Sequence, residues 1–270
     1  MANFASSWNS LRLFDELSAK QTMIHGLHPL AKFLTTLVFI IAIVSFHKYQ
    51  VVELLPFALY LIVVMVLGDL PPGPIFKRML ISLPFAFGVG IFNPIFDHTP
   101  VMVLGSTVLT GGWVSFLSII LRFCFTVLGA LLLIATSGIG GVASAMLRLK
   151  LPKIFVVQLL FMYRYLSVML EETARVLRAN ALRSLRDKGV HFKVWGSLLG
   201  QLLLRTIDRA QRIYQAMLCR GFTGEFPVLK TNRISGKDIL YVCGWSGYFI
   251  LARLYNIPEF MGSLFLGGIK

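Results

Sequence analysis

Residues 114–136 form one apolar run broken by a single charge, Arg122. A run of this length has few destinations. About 20 consecutive apolar residues in a helix match the hydrocarbon thickness of a bilayer, and few soluble cores need such a segment. It is not alone. Further apolar runs cover residues 33–46, 54–68, 79–96 and 239–252. Composition agrees: 56% of the 270 residues are hydrophobic, 14% are charged, and mean hydropathy is +0.75. Soluble domains carry about 25% charged residues, and disordered chains are far more polar. Both classes are excluded. The expected architecture is an all-α integral membrane protein with about five transmembrane helices of roughly 20 residues each.

Breakers set the boundaries. Leu70-Pro71-Pro72-Gly73-Pro74 is expected to end any helix after the second run. Pro84 and Asn93-Pro94 predict a kink or early stop in the third. Residues 101–109 fit a short hairpin outside the membrane. Residues 1–21 lack the basic and apolar regions of a cleaved signal peptide, so the first span itself is expected to direct insertion.

Charge orients these spans. The net charge is +14, from 26 Lys+Arg against 12 Asp+Glu. Residues 172–237 hold 13 of those 26 basic residues and only four acids, whereas residues 97–113 hold no Lys or Arg. Basic loops stay on the cytoplasmic side. Lys20 and Lys32, then Lys77 and Arg78, then Arg148, Lys150 and Lys153 fall on that same side if the N-terminus is inside and five spans follow. The localisation expected is a membrane, multi-pass, with N-terminus inside and C-terminus outside. Residues 154–170 are apolar enough for a sixth span, but Gln158 and Arg164 lie mid-segment, and crossing there would split the basic residues between two faces. An interfacial helix running on into the basic block fits better. The organisation expected is thus a membrane region with four spans at 1–136, a cytoplasmic or interfacial region at 137–237, and a last span in 238–270.

The basic block reads as two long helices. Residues 171–186 lack Gly and Pro, and Glu171 and Glu172 each precede Arg175 at helical spacing. Gly189 marks its end. Residues 194–219 follow, with Arg205, Arg209, Arg212 and Arg220 on one face, open to lipid headgroups or a partner. Each helix ends in an arginine beside a small residue: Leu182-Arg183-Ser184 and Cys219-Arg220-Gly221. Arginine is favourable at any helix C-terminus. Repeated at two ends, the pattern also suits a plug, in which one guanidinium fork enters a groove on another protein.

These residues resemble the transmembrane T component of energy-coupling factor transporters, a class of ABC importers. That family carries two Ala-Arg-Gly-like signatures at the ends of two cytoplasmic coupling helices. Gln215-Ala216-Met217-Leu218-Cys219-Arg220-Gly221-Phe222 is similar to the second; Leu182-Arg183-Ser184 is similar to the first but carries the bulkier Leu182 before the arginine. His25-Gly26-Leu27-His28-Pro29-Leu30-Ala31-Lys32, Phe92-Asn93-Pro94 and Tyr163-Arg164-Tyr165 also look like the family, the first like its cobalt/nickel subgroup, often called CbiQ. The resemblance covers nearly the whole chain. It implies a non-catalytic permease subunit that contacts two ABC-type ATPases through Arg183, Ser184, Ala216, Arg220 and Gly221. It also implies a separate membrane S component that binds the cargo, a metal ion such as cobalt or nickel, or a vitamin. No cofactor is implied.

Other chemistries have less support. His25 and His28 lack the third and fourth ligands of a metal site, and a turn before the first span suits them better. Gly138-Ile139-Gly140-Gly141 lacks the Gly-Lys-Ser/Thr ending of a phosphate loop, so the chain is not expected to be the ATPase. Cys124, Cys219 and Cys243 form no pairing pattern. No nucleic-acid motif accompanies the basic helix, and the acids are too dispersed for a membrane enzyme that works on diphosphates. Arg122 is expected to pair internally or to snorkel. The alternative function is a self-contained secondary transporter or channel, for which Arg122 and Asn93 supply little polar pathway.

Overall fold

The structure is a computed structural model, and it describes residues 15–96, 100–104, 107–183, 192–222 and 234–255. The described residues are helical apart from one short hairpin. In chain order they form α1 (Pro29–Val44), a 3-10 helix (Val52–Phe57), α2 (Ala58–Leu67), α3 (Pro72–Gly90), α4 (Asn93–Phe96), β1 (Pro100–Leu104), β2 (Thr107–Thr110), α5 (Gly111–Arg148), α6 (Lys153–Arg183), α7 (Phe192–Cys219) and α8 (Gly236–Leu254). The strands pair antiparallel, as the hairpin expected at 101–109 requires. Two helices, α5 and α6, are long and apolar enough to cross a membrane.

The described residues fall into two units, one comprising those of 15–145 with 234–255, the other 146–183 with 192–222. In the first, hydrogen bonds at opposite ends give each helix its direction. His28, which caps the start of α1, donates its backbone N–H to Asp238 in the first turn of α8 at 2.8 Å. At the other end Arg253 donates to the Ser45 carbonyl at 3.1 Å. Helices α1 and α8 therefore run parallel. Tyr248, late in α8, donates to Pro56 just before α2 at 2.9 Å, while Asp69 beyond the end of α2 is held by Lys20 at 2.9 Å. Helix α2 thus runs back. Gly90, the last residue of α3, faces Phe116 near the start of α5. Helix α5 returns, with Arg122 donating to the His47 carbonyl and Lys32 donating to Thr136 O at 2.8 Å. Directions alternate through α1, α2, α3 and α5, and α8 runs with α1.

Aromatic packing fixes the centre. Phe39 of α1, Phe57 of the 3-10 helix and Phe249 of α8 are fully buried. The Phe57 and Phe249 rings stack at 5.6 Å, and Tyr60 lies 4.8 Å from Phe39. Gly129 of α5 lets the backbone approach Phe39: a Cβ there would stand 3.0 Å from the ring.

One local expectation needs correction. The Pro71–Pro74 region starts a helix as well as stopping one: α3 begins at Pro72, behind an extended Pro71. Proline is tolerated in a first helical turn, where its missing N–H would have no partner. The apolar run expected to end at 136 is followed at once by a break: Gly138, at φ 64°, ψ 167°, is non-helical, and a second helical stretch of α5 carries on to Arg148. That left-handed angle is what the glycine supplies. As expected, residues 154–170 run on into the basic block, within one continuous 31-residue helix, α6. Gly189, expected to end it, lies outside the described residues.

Candidate partner-docking helix ends

Helices α6 and α7 make up the second unit. Helix α6 has 31 residues, with neither Gly nor Pro. At 1.5 Å per residue it spans about 46 Å, and α7, with 28 residues, about 42 Å. Glu172 ties them together. Its carboxylate accepts from Arg205 Nη1 at 3.0 Å and lies 3.3 Å from Arg175. The Glu172–Arg175 pair was legible from spacing. The link to Arg205 was not, and it corrects the view of Arg205, Arg209 and Arg212 as one free face: Arg205 is engaged within the chain. Arg212 is exposed, whereas Arg209 is half-buried.

Beyond this tie the two helices run on to the predicted arginines. From Glu172 to Arg183 is about 16 Å of helix, and from Arg205 to Arg220 about 22 Å. Both arginines are exposed. Each has an exposed leucine close by, Leu182 (79% exposed) and Leu218. Each tip therefore offers a cation beside an uncovered apolar side chain. Ser184 lies outside the described residues.

The second tip is closed by its own backbone. Gly221 has φ 80°. The Phe222 N–H donates to Met217 O and the Gly221 N–H donates to Leu218 O, both at 3.0 Å. Together these bonds make a Schellman motif, which satisfies carbonyls that a helix end otherwise leaves open. The motif puts Arg220 at the C-cap and Gly221 in the one position that demands a left-handed angle. Ala216, one turn before Arg220, is exposed and adds no bulk on the same face.

Other polar groups singled out in the sequence are engaged elsewhere. His25 contacts Thr22 Oγ1 through Nδ1 at 2.7 Å and Leu17 O through Nε2 at 3.0 Å. His28 Nδ1 accepts the Leu30 N–H at 3.0 Å. Both histidines thus organise the turn before α1. Arg122 pairs internally, with the carbonyl of His47, and Asn93 donates to Ser115 Oγ at 2.9 Å. Sequence reasoning missed the buried Lys32 and Asp238. The only available signal was Ser235-Gly236-Lys237-Asp238, a helix-start pattern with an acid three residues after the cap.

An uncharacterized protein of Methanocaldococcus jannaschii is 22% identical to this chain over 239 residues, covering 85% of this chain and 81% of that protein. A family model described as CbiQ, cobalt transport protein, matches residues 20–230. The match takes in α1 to α7 and both arginine-bearing helix ends, and the chain belongs to the CbiQ family of cobalt transport proteins.

Proposed function

We propose that this chain is the transmembrane coupling subunit of an energy-coupling factor importer. It transmits ATP-driven motion of two cytoplasmic ATPases to a separate S component that carries a metal ion or vitamin. The observation that carries this reading is the pair of exposed arginines, Arg183 and Arg220, at the far ends of two long helices tied at Glu172–Arg205. Such helices act as levers: a push at the arginine tips is carried along a rigid backbone past the tie. The cobalt transport family supplies the transport context.

In this reading α1, the segment from the 3-10 helix through α2, α3, α5 and α8 are the five spans. The alternation of their directions supports it, as does the absence of Lys and Arg from residues 97–113. Helix α6 lies along the cytoplasmic interface, in keeping with the exposure of Gln158 and Arg164 midway along its apolar half. Residues 137–237 then form the coupling region. Arg122 in α5 and Asn93, just beyond α3, are engaged with His47 and Ser115, which leaves a self-contained transport path without its two best polar candidates.

A tagged pull-down of this chain from its native membrane, read by mass spectrometry, tests the proposal. Recovery of two ABC-type ATPases and a small hydrophobic protein is expected. Recovery of the chain alone in mild detergent, with uptake by that chain alone in liposomes, would overturn it.

A further inference from the structure

A cavity of about 650 Å³ lies between the turn before α1, α2 and the start of α8. That volume is in the range of small-molecule sites, about 300–1,000 Å³. Its long wall is apolar: Val63, Val64 and Leu67 from α2 face Trp245 from α8. The cavity reaches the surface, because Met23 and Leu67 on its rim are exposed. Lys237 and Asp238, at the start of α8, also line it.

Its polar lining is cationic. Both oxygens of Asp238 are taken, Oδ1 by the His28 N–H and Oδ2 by the Ser235 N–H, each at 2.8 Å. The buried Lys32 interacts electrostatically with the same carboxylate. Lys237, exposed in the first turn of α8, makes no ion pair among the described residues. The positive end of the α8 dipole lies at the same place. The acid is therefore offset from within, and a surplus positive charge faces the opening.

We propose that this groove binds one anionic phospholipid of the inner leaflet, with its phosphate at Lys237 and one acyl chain along Val63, Val64, Leu67 and Trp245. This rests on the reading of α2 and α8 as spans with the start of α8 cytoplasmic. Three features choose the occupant. An apolar groove between two spans is filled by acyl chain where water is absent. The cytoplasmic leaflet is the anionic one, and basic pockets between spans on that side suit its headgroups. Trp245, about two turns inside Lys237, sits where an indole bridges headgroup and chain.

Brominated lipids quench nearby tryptophan, so the site has a direct readout that needs no ATPase or cargo. The chain is placed in nanodiscs of phosphatidylcholine containing a minor fraction of brominated phosphatidylglycerol, or of brominated phosphatidylcholine. The Trp245→Phe protein gives the part of the signal that belongs to Trp245. One lysine near a membrane surface favours an anionic lipid about five-fold, so the phosphatidylglycerol form should quench Trp245 at about five-fold lower mole fraction. Lys237→Glu should remove that preference while leaving quenching by both lipids. Leu67→Phe, which narrows the groove without adding a tryptophan, should weaken quenching of Trp245 by both lipids. Equal quenching by the two lipids in the unmodified protein would overturn the anionic preference. No quenching by either would mean that a protein segment or partner fills the groove, and would overturn the site. The pull-down of ATPases reports on the transport reading independently of both results.

Discussion

Gly221 shows how a single residue shapes a helix end. The Schellman closure needs a left-handed angle immediately after Arg220, and φ 80° supplies it. A Cβ at Gly221 would meet nothing within 4 Å, so the constraint is one of conformation and not of space. Gly221→Ala should lower stability by about 1 kcal/mol. Gly221→Asn should lose less, because Asn tolerates the left-handed region. If ATPase capture depends on the aim of Arg220, it should fall in the order Gly, Asn, Ala; equal capture by all three would separate the turn from docking. His25 makes a second residue-scale prediction. Burial, then the nearby Lys32, hold its pKa below the usual 6.5. The neutral ring donates Nε2–H to Leu17 O and accepts at Nδ1 from Thr22. A base with a lowered folded-state pKa gives stability that is complete above the unfolded value and lost as pH falls below it. The melting temperature in detergent should therefore drop below about pH 6.5. His25→Gln should flatten that part of the profile, and an unchanged profile would assign the drop to other groups.

At the scale of elements, α6 and α7 matter through one tie. Arg205 is largely exposed and Glu172 is mostly covered, so the pair is worth about 0.5–1 kcal/mol, as partly solvated pairs usually are. A double-mutant cycle with Glu172→Gln and Arg205→Gln should return a coupling of that size. Function should respond more sharply. Neither change touches Arg183 or Arg220, so ATPase capture should persist while uptake per ATP hydrolysed falls. Loss of both together would mean that the tie merely holds the tips in place. Apolar length made most elements visible in advance: 114–136 and 239–252 lie inside α5 and α8, and the β-prone patch around Gly105-Ser106 marked the hairpin. Helix ends were less visible, for physical reasons. Pro71 and Pro72 look like a stop when read forward, yet they begin α3, because proline is disfavoured only where a helix needs its N–H. The exposed places of Arg183 and Arg220 late in α6 and α7 were legible because helix-forming signals are local. The Glu172–Arg205 tie and the partner of Arg122 were not, since a single sequence does not show which distant groups meet.

The whole molecule depends on a polar joint between its two ends. Asp238 reaches across 210 positions to the backbone of His28, and so sets the start of α8 beside the start of α1. The same carboxylate accepts the Ser235 N–H, and the buried Lys32 completes the cluster with a bond to Thr136 O on α5. Three helices thus meet at one set of buried charges near the groove at the start of α8. Removing one member leaves the others without compensation. Asp238→Ala orphans two N–H groups and an ammonium that is 3% exposed, at a loss of about 3–5 kcal/mol. Asp238→Asn keeps one acceptor and should fall between Ala and Asp. A buried ion pair is not itself a large source of stability, and replacing both charges is often tolerated. Lys32→Met added to Asp238→Ala should therefore restore part of the loss, measured as melting temperature and yield of monodisperse protein in detergent. Recovery identifies uncompensated charge as the cause. If the double variant is as unstable as Asp238→Ala, the backbone bond to His28 is what joins the two ends of the chain, and the ammonium is incidental.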